Sequence, residues 1–156
     1  MADSSRPLLY SRSLEHACHE IQVAWPLICR DYVEMFPDRH LRITTTYRSQ
    51  VVQEALWLQG RMDLRTVNEV RVKIGLAPIK AEENRKITWT KSSKHTRLPS
   101  LALDFVVMTD PDGVDGPLKP ALDWSDEKYT PMMLLAPRYG LRSGGAFGDL
   151  PHVEVA

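Results

Sequence analysis

Residues 143–155 constrain the fold more than any other stretch of the sequence. A chain end left in solvent is usually polar and frays. This one carries Phe147, Pro151, Val153 and Val155. Ser143-Gly144-Gly145-Ala146-Phe147-Gly148 has the glycine content of a turn, and His152-Val153-Glu154-Val155 alternates as a strand does. The segment therefore reads as a strand built into a sheet. On that strand His152 and Glu154 share one face, and Val153 and Val155 share the other. Asp149 falls in the turn, three residues before His152.

The rest of the chain supplies partners for such a strand. Leu14, Ile21, Ala24, Trp25, Ile28, Tyr32 and Met35 recur at helical spacing between Ser13 and Phe36. Pro26 inside that pattern should kink or divide the helix, and Pro37-Asp38 should end it. Leu41 to Tyr47 is β-branched and alternating, a strand. Ser49 is placed to cap a helix from Gln50 to Gln59 that closes at Gly60. A short helix over Leu64–Ile74 ends at Gly75. Lys86–Lys91 reads as a strand, and Ser100–Met108 as a stronger one. Asp110-Pro111-Asp112-Gly113 has turn chemistry. Thr130-Pro131 opens a helix that stops at Gly140. Helices come first and strands cluster in the second half, which predicts an α+β fold with helices packed on a mainly antiparallel sheet.

At 156 residues the chain has length for one domain with a core that needs no staples, here 1–156 with a polar arm over 1–11. Formal net charge is zero, so no global field favours nucleic acid or an acidic membrane surface. No apolar run approaches a membrane span, and Met1–Leu14 has no secretory apolar core. The two cysteines, Cys18 and Cys29, do not make a disulfide framework. H-E-x-x-H, C-x-x-C, phosphate-loop and G-x-S-x-G motifs are all missing.

A catalytic zinc site needs three protein ligands and one open position. On the strand Ser100–Met108, Leu101, Leu103 and Phe105 point one way, while Ala102 and Asp104 point the other. If this strand neighbours the last one, Asp104 and His152 can meet. His95 precedes it across a Leu98-Pro99 bend and can fold back as the third ligand. A carboxylate must then move the proton of the attacking water. Asp149 in the turn is preferred for this, and Glu154 is its rival. Arg48, at a strand end, is the candidate for holding the oxyanion. Ser93 and Trp89 are candidates for orienting a ligand and lining a substrate groove.

Tyr47-Arg48-Ser49, Ser93-Lys94-His95, Ser100-Leu101-Ala102-Leu103-Asp104, Gly144-Gly145 and Asp149-Leu150-Pro151-His152 together resemble a family. It is the zinc D-Ala-D-Ala carboxypeptidase and L-alanyl-D-glutamate peptidase family of peptidoglycan peptidases. The resemblance runs from about Leu41 to the C-terminus. It implies the small α+β fold shared with hedgehog domains and one Zn2+ per chain on His95, Asp104 and His152. It implies Asp149 as general base and Arg48 as the group that polarises the carbonyl. The implied substrate is the bacterial peptidoglycan stem peptide, cut by an endolysin-type L-alanyl-D-glutamate endopeptidase. A D-Ala-D-Ala carboxypeptidase or dipeptidase and a non-catalytic hedgehog-like binding module are the alternatives. Such a phage or prophage enzyme would be a monomer, made in the host cytoplasm without a signal peptide and acting on the wall after release through the membrane. Leu98-Pro99 looks like an insertion relative to the family pattern, Ser100 stands where the family has glycine, and Ser143 where it often has tryptophan.

Other clusters carry weaker chemistry. His16, Cys18 and His19 sit at helical spacing and read as a solvated face. Asp110-x-Asp112-Gly113-x-Asp115 imitates a calcium loop, but Val114 occupies an oxygen position. Trp25, Trp57, Trp89 and Trp124 read as core or rim aromatics. Cys29 sits among apolar neighbours and reads as inert packing.

Overall fold

A computed structural model describes residues 7–110 and 121–156. In chain order the elements are β1 (Tyr10–Ser11), α1 (His19–Met35), β2 (Arg39–Thr45), β3 (Tyr47–Arg48), α2 (Gln50–Leu58) and α3 (Leu64–Lys73). They continue with β4 (Ala102–Thr109), β5 (Ala121–Asp123), α4 (Met132–Arg138), β6 (Leu141–Ser143) and β7 (His152–Val155). The main sheet has the order β2-β4-β7-β6, with β5 beside β4; β1 and β3 form a separate pair. Every ladder is antiparallel. The α+β class expected from the sequence is therefore present.

β4 organises the sheet. β2 runs along one edge of it from Asp104 to Thr109. The other edge is divided between β7, at Ala102–Asp104, and β5, at Val107–Thr109. The alternation read from the sequence holds. Leu103, Phe105 and Val107 enter one hydrophobic cluster with Ile21, Ala24, Trp25, Ile28 and Tyr32 of α1, Met132, Leu135 and Ala136 of α4, and Val153 of β7. Val153 is fully buried, which stabilises the last strand by about 1.5–3 kcal/mol. The C-terminal segment is thus a working part of the core.

Several elements differ from the sequence reading. The first helix does not begin at Ser13. A short 3-10 turn, Leu14–His16, comes first, and α1 starts at His19. The break lies at Ala17–Cys18, where the backbone bonds across to Ser100: Cys18 N donates to Ser100 O at 2.8 Å, and Ser100 N to His16 O at 2.8 Å. Pro26 does not divide α1, which runs through it. Pro26 lies on the exposed side, so the buried stripe continues unbroken. The arm is not polar to its end, because Tyr10 and Ser11 pair with Arg48 and Tyr47.

Lys86–Lys91 is irregular rather than a strand. Side chains of α2 and its C-terminal turn take its carbonyls in place of a neighbouring strand. Gln53 Nε2 donates to Thr90 O at 2.8 Å, Gln50 Nε2 to Lys91 O at 2.7 Å, and Arg61 to Thr88 O at 3.1 Å. The strong strand starts at Ala102, not Ser100, because Ser100 is committed to the bridge with Ala17. The strand expected over Leu41–Tyr47 is split at Thr46, which separates β2 from β3. The turn and calcium-like loop over Asp110–Asp115 fall largely on 111–120, outside the described residues.

The glycine-rich turn before β7 is a packing device. A Cβ on Gly144 would stand 2.0 Å from the Asp149 carbonyl oxygen and 2.9 Å from His152 Cβ. Gly148 closes the turn at φ +83°, in the left-handed region. Gly144→Ala should cost about 1–3 kcal/mol by overpacking and lower Tm by roughly 2–12 °C. Thermal melts monitored by circular dichroism would measure this; an unchanged Tm would mean that the turn is not closed on Asp149.

Candidate metal centre

Asp104 lies opposite His152 in the β4–β7 ladder and opposite Thr45 in the β2–β4 ladder. It faces away from the core, as its place beside Leu103 and Phe105 requires. His152 Nδ1 comes within 2.8 Å of Asp104 Oδ1. His95 arrives from a short 3-10 turn, Lys94–Thr96, capped by Ser93, whose Oγ accepts from His95 N at 3.2 Å. His95 Nε2 stands 3.2 Å from the same Asp104 Oδ1. One ligand atom from each of His95, Asp104 and His152 lies within 4.8 Å of the others, so the group can hold a metal ion.

The Leu98-Pro99 bend does not carry His95 away. Leu98 is exposed, and both ends of the loop are pinned. Leu101 N donates to Lys94 O at 3.1 Å, and Ser100 is tied to His16 and Cys18. Added length in a loop between fixed ends costs little.

Each ligand is held from behind by one protein group. His95 Nδ1 lies 2.9 Å from the Thr46 carbonyl, which can only accept, so the ring proton is there and Nε2 keeps its lone pair. His95 is 2 % exposed, yet Nε2 makes no hydrogen bond. An orphaned acceptor of this kind, aimed at a carboxylate and a second imidazole, fits a cation between them. His152 has the opposite arrangement. Its Nε2 lies 2.9 Å from Glu154 Oε1, leaving Nδ1 to face the group. Glu154 Oε2 in turn accepts from Lys94 Nζ at 2.5 Å. Arg48 Nη2 donates to Asp104 Oδ2 at 3.2 Å, which leaves Oδ1 for the histidines.

The electrostatics agree with a seat for positive charge. Burial would raise the Asp104 carboxyl, but the His152 and His95 imidazoles beside it reverse this and hold it well below the usual carboxylate range. Burial would lower His152, but Asp104 and Glu154 reverse this and raise it. Asp149 behaves differently. Burial first, and then the Asp104 charge, push its carboxyl up. Its Oδ2 is 3.8 Å from His152 Nδ1 and its side chain is half exposed.

The group forms the floor of a cleft of about 520 Å³. Arg48, Trp89, Ser93, Phe147, Asp149 and Glu154 are among its lining residues. The structure therefore gathers all eight residues singled out in the sequence. It also separates two possible bases: both Glu154 oxygens are engaged, whereas Asp149 is open to the cleft. Thr46 and Lys94 went unnoticed in the sequence. A carbonyl acceptor leaves no residue-type signal, and a lysine beside a histidine has no spacing to distinguish it.

The other clusters do not assemble. His16 Nδ1 is 2.6 Å from Ser11 Oγ, and the break at Ala17–Cys18 takes His19 onto a different element. Among the described residues, the convergent group is His95, Asp104 and His152. Burial pushes the Cys29 thiol up to about 12, which makes it a poor nucleophile. No protein-family model matches the sequence, and no curated protein matches it.

Glu154→Ala would leave His152 Nε2 without a partner and Lys94 Nζ with the Val155 carbonyl alone. It should weaken divalent-metal affinity by about 10–100-fold, measured by competition with a chromophoric chelator. Unchanged affinity would remove Glu154 from the group that orients His152.

Proposed function

We propose that this chain is a zinc metallopeptidase of the peptidoglycan stem peptide, with the L-alanyl-D-glutamate bond as its target, in the manner of a phage or prophage endolysin. One observation carries the reading: a His–Asp–His group able to supply three ligands lies in an open cleft, with a half-exposed carboxylate, Asp149, beside it. A structural zinc site is closed by four protein ligands; a catalytic site keeps a position open. Two imidazoles and one carboxylate suit zinc. The substrate class rests on the motifs spread from Tyr47 to His152 that resemble peptidoglycan peptidases.

Zinc held by His95 Nε2, Asp104 Oδ1 and His152 Nδ1 would supply Lewis acidity and make a water nucleophilic near neutral pH. Asp149 Oδ2 takes a proton from the attacking water and delivers it to the leaving amine nitrogen. The raised carboxyl of Asp149 suits a group that must both accept and return a proton. Arg48, anchored on Asp104 Oδ2, brings positive charge beside the developing oxyanion. Glu154 and the Thr46 carbonyl keep the imidazoles in place.

Purified cell walls incubated with the zinc-loaded protein should release stem peptides, and a chelator should stop the release. Mass spectrometry of the fragments names the bond: new amino termini at D-glutamate support the endopeptidase, while loss of terminal D-alanine assigns a carboxypeptidase. Asp149→Ala should retain zinc and lose about 10²–10⁴-fold in kcat. No release by the metal-loaded protein would overturn the peptidase reading.

A further inference from the structure

Beside the cleft lies a cluster that the metal group does not use. Trp89 is 77 % exposed at the cleft wall, with Ile87, Thr88 and Thr90 around it. The Arg61 guanidinium sits 4.3 Å from the Trp57 ring centroid and 5.9 Å from that of Trp89. Lys86 Nζ is 5.7 Å from the Trp89 centroid, and Lys91 Nζ is 4.2 Å from that of Trp57. Two indoles and three cations therefore form one continuous face.

The charge on this face is uncompensated. Among the described residues, Arg61, Lys86 and Lys91 have no carboxylate partner. The cations within the cleft are the reverse case, since Arg48 is paired with Asp104 and Lys94 with Glu154. Formal net charge is zero over the chain, so the local excess is not a by-product of a basic composition. Mutual repulsion of clustered cations is relieved by a bound anion. Arg61 Nη1 is spent on the Trp57 and Thr88 carbonyls, but an ammonium stacked on an indole, as at Lys86 and Lys91, keeps N–H groups for a ligand, and the open Trp89 ring offers an apolar platform.

The face is also fixed in place. Arg61 Nη1 donates to Thr88 O at 3.1 Å, while Gln53, buried in α2, donates to Thr88 Oγ1 at 3.0 Å and to Thr90 O at 2.8 Å. These bonds hold the 88–90 backbone, and so Trp89, against α2 and its C-terminal turn. A ligand meeting this wall does not have to order it first.

We propose that Trp57, Arg61, Lys86, Trp89 and Lys91 form a subsite for a carboxylate-bearing segment of the substrate, outside the scissile bond. The segment's apolar or sugar face lies on Trp89, and its carboxylate meets the cations. The inference rests on the peptidase reading above and adds the side of the cleft on which the acidic part of the substrate lies.

The test uses the full chain and two synthetic stem peptides that differ at one group, a free carboxylate in the first and a carboxamide in the second. The acidic peptide should have a KM about tenfold lower, the size expected of a few charge-assisted contacts at a half-open surface. Raised salt should shrink the difference. The double substitution Lys86→Gln and Lys91→Gln should raise the KM of the acidic peptide and remove most of it. Equal KM values in the native protein overturn the subsite, as does a difference that survives the double substitution. If the zinc-loaded protein cuts neither peptide, it is the peptidase reading that fails. The subsite is then judged by tryptophan-fluorescence titration with the same peptides: tighter binding of the acidic one upholds it, and equal or absent binding overturns it. A glycerol-phosphate oligomer run as competitor separates the other source of anionic charge. Tighter binding of the oligomer than of the acidic peptide would assign the face to a phosphate polymer and overturn the carboxylate assignment.

Discussion

The antiparallel register between β4 and β7 is the constraint on which the molecule depends. It sets Asp104 opposite His152 and Leu103 opposite Val153. The first pair is the floor of the metal group and the second belongs to the core. Side chains alternate along a strand, so a slip of one residue would turn the ligands into the core and the valines into the cleft. The buried valine thus enforces the position of the histidine. Folding energy and site geometry are coupled through one ladder.

Around that ladder the protein spends its polar groups on fixing three side chains. Thr46 breaks the path from β2 to β3 and turns a carbonyl toward His95 Nδ1. Thr46 is itself held, since its N and Oγ1 both bond to the chain at Ser11–Ser13. The backbone at Ser11–Ser13 therefore supports His95 through Thr46. Glu154 and Lys94 do the same for His152, and Arg48 for Asp104. Such supports leave the ligands with little freedom, so a metal would meet a group already arranged.

The sequence disclosed the elements with a single clear period. β4, β7 and α2 follow from alternation, from Ser49 as a cap and from Gly60 as a stop. It misled where tertiary bonds replaced local ones. Lys86–Lys91 has strand composition, but side chains of α2 and its C-terminal turn, not a strand, meet its carbonyls. The first helix has the right stripe from Leu14, yet the bridge between Ala17 and Ser100 interrupts it. Pro26 carries a breaking signal that the exposed side of α1 absorbs.

The sequence by itself determined which side chains are on hand to hold a metal or carry a charge: two histidines, two aspartates and an arginine, with valines to anchor the last strand. Residue type and period are local properties, and a chain displays them without folding. Only the tertiary structure decided how the carboxylates divide their work. Asp149 and Glu154 both lie within three residues of His152 in sequence, but Glu154 is consumed by His152 and Lys94 while Asp149 stays open to the cleft. That choice depends on distances between β7, the glycine turn and the 3-10 turn at Lys94. Those distances exist only once the strands are paired.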